Sequence, residues 1–207
     1  MTTFFLIRHG HNDFVEKRKL AGRLPNIHLS AEGHRQADAL VPILSSVKFE
    51  AIYASPLERA VETAEPLARA LDLEIIIRDG LLEIGYGSWQ GQSLKALRRR
   101  KLWPILQNTP SLAKFPEGES FPGAQARIVA ELEALRSLHR GKKSTIACVF
   151  HADPIKLAIA HYLGLPLDLF QRILISPASI SVLAVSDSGI QIKGLNDTRA
   201  TYGTPGV

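Results

Sequence analysis

Four side chains of two kinds, standing just after apolar runs, carry the chemistry this sequence offers. Arg8 and His9 follow the run TFFLI (3–7), with Gly10 and a second histidine, His11, behind them. Arg59 lies in SPLERAVETA (55–64), after the run EAIYA (50–54), and His151 opens HADPIK (151–156), directly after STIACVF (144–150). Two guanidiniums present planar forks of N–H donors that match the oxygens of a phosphoryl dianion, and a neutral imidazole is a nucleophile near physiological pH. Gly10 would let the backbone approach such a ligand closely. Arg59 falls about one turn into a helix, near its positive end, where a cation is disfavoured unless an anion sits nearby. An ion pair with Glu62 at i+3 is the alternative partner for Arg59.

These residues need a scaffold that brings the ends of three strands to one edge. Short apolar stretches alternate with helically periodic segments: TFFLI, a helix near 31–45, EAIYA, a helix near 56–71, LEIII (73–77), then STIACVF and a helix from about 154 to 163. That rhythm is the signature of βαβ units and a largely parallel sheet, whose ligands bind at the carboxyl ends of its strands. Ser55-Pro56 and Asp153-Pro154 read as N-caps followed by proline at the first helical position. SISVLAV (179–185) and GIQIKGL (189–195), joined through Asp187-Ser188, read as a closing antiparallel hairpin. Between 80 and 122 glycines and prolines recur too often for one regular element, which marks an insertion or lid, and a helix over roughly 124–140 follows it. The expected fold is a three-layer α/β/α sandwich in one domain spanning 1–207, with a mixed, mostly parallel sheet and a helical insertion over the active site.

Composition narrows the class of protein. With 207 residues, 45% hydrophobic and 22% charged, the chain can bury one sizeable core. No apolar run is long enough to cross a bilayer and no secretory-type leader stands out, so the expectation is a soluble, cytoplasmic protein with no membrane partner. Cys148 is the only cysteine and sits inside an apolar run, which leaves neither a disulfide framework nor a cysteine-rich metal site. The formal charge of +5 favours anionic ligands in general. The basic run RRRK (98–101) lacks the interleaved aromatics or module of a nucleic-acid binder and reads as a solvated helix face, so no nucleic-acid partner is expected.

Taken together, LIRHG, SPLERAVETA, LLEIGYGSWQG and VFHADPIK, with GRLPNIHLSAEGHRQA (22–37) and a terminal LNDT (195–198), resemble the histidine phosphatase superfamily in its phosphoglycerate mutase-like branch. The resemblance implies that His9 is the nucleophile that becomes a phosphohistidine. It implies that Arg8, Arg59 and His151 bind the transferred phosphoryl oxygens, and that Glu83 protonates the leaving oxygen. An alkoxide leaves poorly, so that last role requires a carboxylic acid whose pKa is raised by burial or by a nearby anion. His11, Asn12, Arg23 and Ala152 are candidates for contact with phosphate or the rest of the substrate. Ala152 stands where many members carry Gly, and His11-Asn12 where mutases carry Glu or Gln and then Ser or Thr, which weighs toward hydrolysis.

The expected activity is therefore a metal-independent phosphomonoesterase acting on a small phosphorylated metabolite, with no cofactor and no metal ligands, and with a homodimer left open. A phosphomutase of the same mechanism is the alternative. HGH (9–11) and HAD (151–153) also match His-x-His and His-x-Asp metal pairs of metal-dependent hydrolases, but two arginines aimed at a dication would repel it. A phosphate-binding scaffold without catalysis would have lost a catalytic residue, and none is lost.

Overall fold

The computed structural model describes residues 1–139 and 143–202, apart from the side chain of Tyr202. A six-stranded sheet runs through the molecule in the order β3-β2-β4-β1-β5-β6. Its strands are β1 (Thr2–Arg8), β2 (Ala51–Ala54), β3 (Ile75–Ile77), β4 (Ser144–Phe150), β5 (Ile180–Ser186) and β6 (Gly189–Asp197). β4 pairs in parallel with β1 and β2, and β2 with β3, while β5 runs antiparallel to both β1 and β6. The sheet is mixed and mostly parallel, and β5-β6 is the hairpin that the Asp187-Ser188 turn predicts.

The alternation of side chains along the central strands builds two cores. Phe4 and Leu6 of β1 and Ile146, Cys148 and Phe150 of β4 pack on one face. There they meet α6 (Phe121–Leu138) and α7 (Ala152–Leu163) through residues such as Ile128, Leu132, Ile155 and Ile159. Ile7, Ala147 and Val149 point to the other face, against α2 (Ala31–Leu44), α3 (Glu58–Leu71) and the short C-terminal α8 (Arg199–Tyr202). By the same alternation Arg8, two positions after Leu6, belongs to the α6–α7 face.

The segment between 79 and 121 breaks into short pieces, as its glycines and prolines require. It holds 3₁₀ turns at Asp79–Leu81, Gly87–Trp89 and Pro110–Leu112 together with α4 (Leu94–Leu97) and α5 (Trp103–Asn108). Leu81, Ile84, Trp89, Leu97, Leu106 and Phe115 are buried in the same core as α6 and α7, so the segment is an integral wall of the fold. One further short helix, α1 (Asp13–Glu16), follows β1, capped by the Asn12 side chain, which accepts from the Phe14 and Val15 amides.

Two expected caps are elsewhere. Helix α3 begins at Glu58 with Leu57 at its cap position, and the Ser55 hydroxyl meets His151 at 2.8 Å while accepting only a long bond of 3.5 Å from the Leu57 amide. Helix α7 begins at Ala152 with extended His151 at its cap position, which puts Asp153 inside the first turn, its carboxylate bonded to Tyr86 and Lys156. In both cases a long-range partner outcompetes the local capping bond that the dipeptide pattern suggests. Helix α6 starts earlier than expected, at Phe121, because Ser120 caps it through the Gly123 amide, and residue 140 of the expected helix lies outside the described residues.

Candidate active site

The chain leaves β1 toward β2 on one side of β4 and leaves β4 toward β5 on the other, so the crevice between the carboxyl ends of β1 and β4 is the switch point of the sheet. Arg8 is in register with Phe150, and the His9 amide donates to the Phe150 carbonyl at 2.9 Å. This extends the ladder one step and sets His9 beside His151, with ring centroids 5.3 Å apart. Ser55 at the end of β2 is fixed similarly, its amide donating to Val149. Three strand ends thereby meet, as the sequence requires.

The His9 ring is held by a hydrogen bond of 2.8 Å from Nδ1 to the Gly10 carbonyl, which can only accept. Nδ1 therefore carries the proton and the lone pair is on Nε2, which faces Arg59 Nε at 3.3 Å. Burial, and then the charges of Arg59 and Arg8, push the His9 pKa well below its ordinary value, so the imidazole is neutral. His151 is wholly buried and shifted the same way, by burial first and Arg59 second. Its Nε2 lies 2.8 Å from the Ser55 hydroxyl, and its Nδ1 lies 3.4 Å from Arg59 Nη2.

Arg59 is 1% exposed, with Nη2 donating to the Gly22 carbonyl at 2.7 Å. It makes no ion pair with Glu62, which instead takes His28 and the Leu29 amide. Arg8 donates through Nη1 to the Ile175 carbonyl at 2.7 Å. Burial lowers the pKa of both arginines, and Glu83 is the charge that most opposes this. Three donors among the described residues of the cleft are buried with no partner in the protein: Arg8 Nε, Arg59 Nη1 and Asn12 Nδ2. Each such donor costs about 1–3 kcal/mol if nothing accepts from it.

Glu83 is 9% exposed, and its Oε1 accepts from the Ile84 amide at 2.8 Å. Burial and then the Asp153 carboxylate raise its pKa to about 7, against the Ile84 amide, Arg59 and Arg8. Asp153 accepts from the Tyr86 hydroxyl at 2.8 Å and from Lys156 at 3.0 Å. Although burial works to raise it, Lys156 and Tyr86 hold the Asp153 carboxyl below its ordinary value, so it stays ionised beside Glu83. The Glu83 backbone is clamped as well. Arg23 Nε donates to its carbonyl at 2.7 Å, and Arg127 donates to the carbonyls of Gly80, Leu82 and Glu83. Glu119 links the two arginines, at 2.8 Å from Arg23 and 3.0 Å from Arg127, and accepts from the Gly85 amide.

Arg8, His9, Asn12, Arg59, Glu83 and Ala152 all line one cleft of about 470 Å³, and His151 abuts Arg59 and His9 at its base. His11 and Arg23, candidates for contact with the substrate, are not among the lining residues. The His11 ring bonds to Ser30 at the cap of α2, and Arg23 is spent on Glu119 and the Glu83 carbonyl. Gly10 also has a different reason from the expected one. A Cβ there would sit 2.7 Å from the Gly33 carbonyl oxygen of α2, and a Cβ at Gly33 would strike the His11 carbonyl, so the two glycines permit backbone-to-backbone contact. Tyr86, Asp153, Ser55, Arg127 and Glu119 escaped the sequence reading as site residues. Tyr86, three residues after Glu83 within a glycine-rich stretch, was the one with a local signal.

A profile of the Histidine phosphatase superfamily (branch 1) matches residues 4–198. The chain is 30% identical over 203 residues to Phosphoserine phosphatase 1 of Hydrogenobacter thermophilus, covering 96% of this chain and 93% of that one. It is 28% identical over 185 residues to the 2,3-bisphosphoglycerate-dependent phosphoglycerate mutase of Thermoplasma acidophilum, covering 89% and 88% of the two chains. Among solved structures, YhfR of Bacillus stearothermophilus superposes with a TM-score of 0.90 at 25% identity, over 97% of this chain and all of that one.

Proposed function

Because the chain belongs to the histidine phosphatase superfamily, branch 1, whose members hydrolyse or transfer phosphoryl groups of small metabolites, we propose that it hydrolyses phosphomonoesters in the cytoplasm through a phosphohistidine at His9. The observation that supports this reading is the set of buried, unpartnered donors of Arg8, Arg59 and Asn12 in the cleft that His9 also lines. A phosphoryl dianion satisfies all three donors and neutralises the buried Arg59 and the half-buried Arg8 guanidiniums.

In the first half-reaction His9 Nε2 attacks phosphorus as the ester P–O bond breaks. Arg8, Arg59 and His151 bind the equatorial oxygens, and the proton of the Glu83 carboxyl passes to the departing alkoxide. Once the dianion is bound, Ser55 Oγ–H donates to His151 Nε2, and Nδ1, which without ligand faces the donor Arg59 Nη2, carries the proton that meets a phosphoryl oxygen. In the second half-reaction the Glu83 carboxylate takes a proton from water as its oxygen attacks phosphorus. The P–N bond breaks, its electron pair returns to Nε2, and phosphate leaves. A carboxyl poised near pH 7 can serve as acid and then as base.

A metal is a poor fit to this arrangement, since His9 and His151 both face Arg59 and a dication there would meet a buried guanidinium. Rapid quenching with labelled substrate tests the proposal. The wild type should yield an acid-labile, base-stable phosphoenzyme, and His9→Ala should yield none and turn over no alkyl phosphate. Full turnover by folded His9→Ala would remove His9 from the role.

A further inference from the structure

Beyond the phosphoryl end, the cleft changes character. Phe14 of α1 and Leu20 after it, Trp89, Leu94 and Trp103 from the 79–121 segment, and Leu174 from the stretch before β5 form its walls. They come from three separate parts of the chain and converge on one apolar space. Trp89 and Trp103 lie nearly parallel, at 11° and 6.4 Å between ring centroids. Leu174 remains 69% exposed at the mouth. An apolar side chain of that size left open beside a catalytic cleft is the kind of surface a ligand covers.

The charges of the cleft are equally informative. Apart from Arg8 and Arg59, its cations are Lys19 and Arg98, both exposed, and Lys156, which is bonded to Asp153. Apart from Glu83, its only carboxylate is Asp153, whose two oxygens are taken by Tyr86 and Lys156. A substrate carboxylate or second phosphate would therefore find no buried cation, and a substrate ammonium no unengaged anion. An ammonium would be desolvated against indole and leucine without a partner, and a carboxylate would have only the solvent-exposed Lys19 and Arg98, whose attraction water screens.

We infer that this enzyme takes phosphomonoesters of bulky apolar alcohols, with the alcohol's apolar body, aromatic or branched, seated between Leu20, Leu94, Trp103 and Leu174. This rests on the phosphatase reading and names its substrate class. The alcohol with the larger apolar body is the better substrate because its transfer from water into the wall region accompanies binding of the transition state.

The test compares 2-phenylethyl phosphate with ethyl phosphate and O-phosphoserine, all alkyl esters whose leaving groups need protonation, with p-nitrophenyl phosphate as the control for the chemistry itself. The expected kcat/KM is roughly 50-fold higher for the phenylethyl than for the ethyl ester, from burial of one phenyl ring, with phosphoserine no better than ethyl phosphate. In Trp103→Ala and in Leu94→Asp the phenylethyl-to-ethyl ratio should fall by about tenfold. That ratio does not depend on how much of a variant is folded. Turnover of p-nitrophenyl phosphate with phosphoserine or 3-phosphoglycerate preferred over the phenylethyl ester overturns this inference alone, as does an unchanged ratio in both variants. No turnover of p-nitrophenyl phosphate overturns the phosphatase reading and this inference with it.

Discussion

Replacing Glu83 by Gln removes an ionisable group and keeps its shape, and the surroundings of that side chain dictate the outcome of two independent measurements. The Glu83 carboxyl titrates at about 7 in the folded protein against an ordinary value of 4.5, through burial and the neighbouring Asp153. Because the folded value is raised, the carboxyl favours folding only below the unfolded value, and that contribution drains away as pH climbs from about 4.5 to 7. By pH 8 the wild type holds a buried carboxylate worth about 3 kcal/mol of lost stability, which glutamine never incurs. Glu83→Gln should therefore melt within roughly 2–3 °C of the wild type near pH 5 and higher at pH 8, by roughly 6–12 °C for a chain of this size. His9 and His151, both depressed, weaken the fold as pH falls below their unfolded values, but they do so in both proteins and cancel in the difference. For activity, kcat/KM of the wild type on an alkyl phosphate should fall about tenfold per pH unit above 7, as the acid is lost. A bound dianion offsets Arg8 and Arg59, so the corresponding limb in kcat should lie at higher pH. Glu83→Gln should lose this limb along with roughly 10²–10⁴-fold of alkyl-ester turnover, and much less with p-nitrophenyl phosphate. Equal melting differences at pH 5 and pH 8, or an alkaline limb that persists in Glu83→Gln, would refute the assignment of the titrating acid.

Two further outcomes are expected. Activity should survive exhaustive dialysis against a chelator, because guanidiniums already occupy the positions from which a dication would act; loss on chelation, with recovery on adding metal, would favour the metal-dependent alternative. Arg127→Ala should free the Glu83 backbone from one of its two clamps, lowering kcat for an alkyl phosphate by about tenfold or more with little change in KM and a smaller loss on p-nitrophenyl phosphate. An equal loss on both esters would make Arg127 a purely structural residue.

The candidate site was legible because two of its strands, β1 and β4, end flush with charged or titratable residues. Phe150-His151 and Ile7-Arg8-His9 are abrupt changes of polarity that the parallel register brings to one level. What the sequence concealed were partners chosen across the fold. Ser55 and Asp153 look like caps beside their prolines, yet His151 and Tyr86 claim them from 96 and 67 residues away. His11 looks like a ligand contact because it is so close to His9, but the backbone turns after Gly10 and presents its ring to Ser30. The walls of the cleft were hidden for another reason. Helices as short as Leu94–Leu97 and Trp103–Asn108 have no periodicity long enough to say which way Leu94 or Trp103 points; only their packing against the core decides it.

The bond from His9 Nδ1 to the Gly10 carbonyl reaches beyond orientation. An imidazole has two nitrogens, and a free histidine can be phosphorylated on either, giving two isomers of different lability. Here one nitrogen is committed to a carbonyl along the backbone and Nε2 is left to the cleft, so the proposed reaction would give a single regioisomer, with phosphorus on Nε2. The same carbonyl also stabilises the positive charge that the ring gathers as the P–N bond forms and, by keeping the Nδ1 proton in place, leaves the ring a neutral leaving group once water attacks. In the proposed mechanism one peptide oxygen thus selects the isomer and eases both its making and its breaking.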